Sequence, residues 1–143
     1  RYFSQHMLRI QWTNEEGWAN PQICPLQHLL LHPGAKVLHY AEEVFEGMQA
    51  FRGIDGKIRM FRPMHNMARF AASAKRTSLP SFSQSELLEC IRRLIEIDQD
   101  WGEPGLSSNE KLFGWNSFSI LALKSGNIDV PVNATEPGLL YLM

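Results

Sequence analysis

Apolar positions recur at a period of two in the first part of the chain and at the helical period in the middle. In "MLRIQW", Leu8, Ile10 and Trp12 alternate with Met7, Arg9 and Gln11, which predicts a half-buried strand over Met7–Trp12. The segment "PQICPLQHLLLHPG" is bracketed by Pro21, Pro25 and Pro33-Gly34, so only short extended pieces fit there. A buried strand is expected at Leu29–Leu31. In "LHYAEEVFEGMQAF" (Leu38–Phe51) the pattern predicts a short helix over Val37–Phe45, broken at Gly47 and resuming as a strand. Met48–Arg52 and Lys57–Phe61 each alternate around Asp55-Gly56, the pair that supplies positive φ in a hairpin turn.

Pro63 suits the first turn of a helix, and "MHNMARFAASAKRTS" continues at helical period up to Pro80. Ser83 and Glu86 have capping-box spacing before "LLECIRRLIEIDQDW". There Leu87, Leu88, Ile91, Leu94 and Ile95 form one apolar face, with Glu89 and Arg93 on the other. This helix is expected to reach about Trp101. Beyond it, "LFGWNSFSILALKSGN" is apolar without a clean period, and "LLYLM" is a short β-prone run. The expectation is an α+β domain, a mostly antiparallel sheet with helices packed on it.

Composition places the chain among ordinary globular domains. Its 143 residues fit one domain, with 44% hydrophobic and 20% charged residues. A net charge of −1 with scattered basic residues gives no field for nucleic acid. No apolar run approaches the roughly 18 residues that cross a bilayer. Cys24 and Cys90 lie far apart without metal-ligand spacing, which fits a reducing compartment better than a disulfide framework. The chain begins at Arg1, so a preceding segment is left open.

Most familiar catalytic signatures are missing. There is no GxSxG elbow, GxGxxG or phosphate-cradling P-loop, and among the histidines only His28-x3-His32 has a suggestive spacing, interrupted by nearby prolines. Arg69 stands out, lying close to the start of the Pro63 helix, where a guanidinium can hold a phosphate through two parallel hydrogen bonds. An exposed, ion-paired arginine is the alternative.

"PLQHLLLHPGAKVLHYAEEVFEGMQAFRG", "KIRMFRPMHNMARFAASAKRTSLP" and "ELLECIRRLIEIDQDW" carry "LHY", "FEG", "FRP" and "NM.R" in order. From about Arg1 to Trp101 the chain resembles the N-terminal small domain of the branched-chain amino acid aminotransferases, fold type IV enzymes of pyridoxal phosphate. The resemblance implies that Arg69 holds the cofactor phosphate and that Phe45 lines a pocket for an aliphatic side chain. It also implies that Tyr40 reaches across a homodimer to the partner's substrate pocket, and that Gly47 turns the backbone tightly into its strand. The implied reaction moves the amino group of leucine, isoleucine or valine to 2-oxoglutarate, in the cytoplasm or the mitochondrion.

The resemblance weakens after Trp101. The family's Tyr-x-Arg pair has no counterpart in "GEPGLSSNEKLFGWNSFS", and the family's Schiff-base lysine belongs to a large domain further on. Residues 102–143 are therefore expected to be a divergent or truncated segment following a small domain at 1–101. Lys124, despite the Gly and Asn after it, reads as a surface lysine. The chain alone is then expected to be inactive. The alternative is a non-catalytic product that dimerises with a full-length relative; a D-amino acid aminotransferase or aminodeoxychorismate lyase fits the motif set less well.

Overall fold

The computed structural model describes residues 4–99, 115–124 and 138–142. Strand β1 (His6–Thr13) alternates as its sequence requires: Leu8 and Ile10 join the main core, and Met7 is buried on the opposite face. The chain turns at Asn14–Glu16 and Gly17 (φ 72°) into β2 (Gly17–Trp18), which pairs with Trp12 and Thr13. Strand β3 (Gln22–Pro25) pairs antiparallel with His6–Arg9. The buried strand expected at Leu29–Leu31 is not formed: the segment is irregular and Leu30 is 96% exposed. Only Leu29 and Leu31 pack, against the cluster around Met7. Pro25 and Pro33 lack the N–H donors that would let this segment join a ladder, and β3 already occupies that stretch of β1.

Helix α1 (Lys36–Tyr40) is shorter than expected and ends at Ala41, whose φ of 51° is left-handed. The turn predicted at Gly47 therefore falls at Ala41. Glu43 already begins β4 (Glu43–Arg52), which takes in Phe45 and Gly47. Gly47 is an ordinary strand residue paired with Ser119, and its φ is not positive. The expected hairpin is present: β4 returns through residues 53–57 into β5 (Ile58–Met60), with Gly56 alone at positive φ. The Arg59 guanidinium and the Lys57 N–H hold the Asp55 carboxyl well below the usual carboxylate range and brace the loop.

Helix α2 (Pro63–Arg76) starts at Pro63 and buries Met67, Phe70 and Ala74. Helix α3 (Gln84–Ile97) starts at Ser83, whose hydroxyl accepts the Glu86 N–H, and buries Leu87, Ile91, Leu94 and Ile95. Phe70 and Phe82 meet with ring centroids 5.3 Å apart. On the outer face Arg92 grips Glu89 at 2.7 Å, while the anticipated Arg93–Glu89 pair is looser at 3.5 Å. Helix α3 stops at Ile97, before Trp101, because Asp98 turns its carboxylate to β1. Its Oδ1 lies 2.6 Å from His6 Nδ1, and its Oδ2 accepts the His6 backbone N–H at 3.1 Å.

Two further strands complete the sheet. β6 (Trp115–Lys124) pairs with β4 along its length, and β7 (Gly138–Leu142) fits between β6 and β1. The spatial order is β2-β1-β7-β6-β4-β5, with β3 on β1, and every pairing is antiparallel. Helices α2 and α3 cover one face, where Leu8, Ile10, Met48, Ala50, Ile120 and Ala122 meet Phe70 and Ile91. The fold is α+β. Backbone pairing thus gives the aperiodic stretch "WNSFSILALK" a place that its side-chain pattern did not reveal; the Lys124 side chain lies outside the described residues.

Asp98 is 9% exposed and satisfies two donors, so its loss should be felt at both ends of the contact. Asp98→Ala is expected to lower stability by about 2–3 kcal/mol, and Asp98→Asn by less, since an amide oxygen still accepts the His6 N–H. Urea unfolding of the two variants checks this.

Candidate functional site

Residues three apart on a helix share a face, and so Asn66 and Arg69 of α2 both reach β4. Glu46 meets them from the helix-covered side of the sheet, between Val44 and Met48. Its carboxylate takes Arg69 on one edge of the guanidinium, with Nη2 donating to Oε1 at 2.5 Å and Nε to Oε2 at 3.3 Å. Asn66 Nδ2 lies 3.1 Å from Glu46 Oε1 and 3.0 Å from the Gly47 carbonyl. The Glu46 side chain is only 11% exposed, whereas that of Arg69 is 63% exposed.

A guanidinium carries five N–H donors, of which Glu46 occupies two. The end formed by Nη1 and the outer Nη2 hydrogen has no protein partner among the described residues. That end matches the fork a phosphate monoester accepts, so these residues fit a phosphorylated cofactor.

Phe45 and Tyr40 lie elsewhere. Neighbours on a strand point to opposite faces, so Phe45 is on the face away from Glu46, in register with Leu121. Leu121 packs in the cluster of Met7 and Val37, which places α1 on that same side. Phe45 is 76% exposed and Tyr40, at the end of α1, 60%. The structure thus joins Arg69 to Glu46 and Asn66 and sets Tyr40 and Phe45 on the other side of the sheet.

Sequence reasoning passed over Glu46 and Asn66, although both stand inside quoted motifs. The spacing Asn-x-x-Arg placed two polar side chains on one helical face, and Glu46 fell on the buried phase of β4. The first was readable from the helical period; the second waited on the true start of β4, and the contact between them on the fold. Among the described residues no group of histidine, cysteine and carboxylates could hold a metal ion, and no helix is long and apolar enough to cross a membrane.

No family model matches the chain. It is 56% identical over 99 residues to the cytosolic branched-chain-amino-acid aminotransferase of Ovis aries, which covers 69% of this chain and 26% of the relative. The mitochondrial enzyme of Bos taurus is 56% identical over 99 residues, 69% of this chain and 25% of its own length. The chain therefore spans about a quarter of the length of these relatives. Among solved structures, the branched-chain aminotransferase of Escherichia coli superposes with a TM-score of 0.64 at 19% identity, over 99% of this chain and 40% of that one. The enzyme of Thermobaculum terrenum in its PLP form gives 0.63 at 18%, over 99% and 40%. The enzyme of Thermoproteus uzoniensis with norvaline gives 0.56 at 16%, over 95% and 40%. The fold is thus that of the fold type IV aminotransferases. Within that class the chain belongs to the branched-chain aminotransferase family, as an N-terminal part.

Substitutions at the pair should be unequal. Arg69→Ala leaves a shielded carboxylate with Asn66 alone, while Glu46→Gln leaves an arginine that water solvates. Arg69→Ala is expected to cost about 1–2 kcal/mol more in urea unfolding. Elsewhere, Cys90 lines a hollow of about 240 Å³ between Ile10, Trp18, Phe82 and Leu87. Burial pushes its thiol up, with Glu89 and Glu86 adding to the effect. Less thiolate is then present at neutral pH. Iodoacetamide labelling of Cys90 in a Cys24→Ser background should be slow there and accelerate only above the ordinary thiol range, as followed by mass.

Proposed function

We propose that this chain is the small-domain part of an enzyme that moves the amino group of leucine, isoleucine or valine to 2-oxoglutarate. It would act as a homodimer in the cytosol or the mitochondrion. The observation that carries the reading is the 56% identity, over 99 residues, to enzymes named as branched-chain aminotransferases; the fold match to the Escherichia coli enzyme over 99% of the chain accords with it. The small domain would be residues 1–101, with 102–143 a divergent segment that still supplies two strands of its sheet.

Pyridoxal phosphate, when bound, supplies the electron sink that amino transfer requires. Arg69 would hold its phosphate with the outward end of the guanidinium, in the orientation set by Glu46 and Asn66. Phe45, in register with Leu121, would offer an apolar wall to the substrate side chain and exclude water from it. Such a wall separates aliphatic substrates by only ~1–3 kcal/mol per methylene, so the three branched-chain acids would be poorly distinguished. Tyr40 would complete that pocket in the partner subunit.

The exposure of Phe45, Tyr40 and Leu38 favours a second reading, in which the chain is non-catalytic and associates through this apolar face with a full-length relative. Borohydride reduction of the endogenous protein followed by intact mass separates the two. The first reading expects a cofactor adduct on a species well above 16.4 kDa, attached beyond residue 143. A 16.4 kDa species without adduct, co-purifying with a larger aminotransferase, would favour the second. In the adduct-forming protein, Arg69→Ala should weaken retention of the cofactor by about tenfold or more.

A further inference from the structure

The resemblance gives a role to Arg69 and none to the two residues that hold it. We infer that Glu46 is a positioning residue, fixed by Asn66, that presents the outward end of the Arg69 guanidinium to a phosphate monoester. This inference rests on the phosphate role proposed for Arg69.

Three observations carry it. The carboxylate engages Nε and Nη2 together, the side edge of the planar group, so the Nη1–Nη2 end must face away from it. Glu46 is itself immobilised, being 11% exposed, and Asn66 ties it to the β4 backbone through the Gly47 carbonyl. Arg69 is 63% exposed, and an exposed arginine without such a partner samples many rotamers that it must give up on binding. The negative charge of Glu46 opposes an incoming phosphate, but water screens that repulsion at so exposed a guanidinium. Orientation therefore outweighs charge. The carboxylate and the phosphate occupy different edges, so both can be bound at once.

The full chain can be titrated with pyridoxamine 5'-phosphate, which carries the phosphate but no aldehyde, while the side-chain Nε–H signals of its arginines are followed by NMR. The Arg69 Nε–H should be protected from solvent exchange before the titration and stay protected at saturation. Glu46→Gln, which has the same shape but cannot accept both guanidinium N–H groups, should abolish the protection and weaken binding on the order of tenfold. In an Arg69→Ala background the same substitution should have no further effect. Displacement of the protected Nε–H by the ligand would overturn the inference, as would binding by Glu46→Gln that is as tight as wild type, or an equal loss in the Arg69→Ala background. The Nε–H measurement on wild type needs no variant to fold. A wild-type Arg69 that does not respond to the ligand would instead remove the phosphate role of Arg69, and the positioning role with it.

Discussion

Everything in this fold is arranged around the alternation of side chains along β4. A strand cannot put adjacent residues on one face, and so Glu46, Met48 and Ala50 are committed to the helices while Phe45 and Gly47 are committed to the far side. β4 lies against β6 along its length, so that division is held by a continuous antiparallel ladder. A register slip of one residue would exchange Glu46 for Phe45 under α2. The buried Met48 and Ala50 make such a slip costly, and the position of Glu46 beneath Arg69 follows from them.

The helices supply the second half of the frame. Phe70, Ile91 and Leu94 are almost fully buried against Leu8, Ile10 and Ile120, so α2 cannot shift along the sheet without opening the core. Arg69 projects from the same helix that contributes Met67 and Phe70. Its backbone is rigid although its side chain is exposed. A rigid root with a solvated tip is how a side chain can be both aimed and available.

Legibility in the sequence followed the strength of local chemistry. The β4–β5 hairpin and both long helices were readable because Gly56, Pro63 and Ser83 each meet a local backbone requirement. The α+β class followed from them. The irregular path of Leu29–Leu31 is not legible, because an apolar run carries no information about which ladder positions are already filled by β3. The helix expected over Val37–Phe45 ends early, at Tyr40, and the turn expected at Gly47 comes at Ala41, for one reason. Ala41, rather than a glycine, adopts the left-handed conformation, and nothing in an alanine announces that. β6 was invisible for another reason: its place is set by backbone pairing along β4, which lies far away in the chain. At the site, Arg69 was legible through the chemistry of guanidinium and phosphate. Glu46 and Asn66 were not, because a contact between a helix and a strand 20 residues before it needs the tertiary fold to bring them together.

The place of β7 bears on how the molecule can be made. Translation delivers β1 long before β7, yet β7 lies between β1 and β6 in the finished sheet. Until residues 138–142 leave the ribosome, the ladder exists as two unjoined pieces, β1 with its short companions and β6 with β4 and β5. What can hold the pieces together during that interval is the helix layer, with Asp98 at the end of α3 gripping His6 across 92 residues of chain. A nascent chain of this sequence thus exposes two open strand edges facing one another until β7 arrives. That is the interval in which pairing with a neighbouring chain would compete with completion of its own sheet.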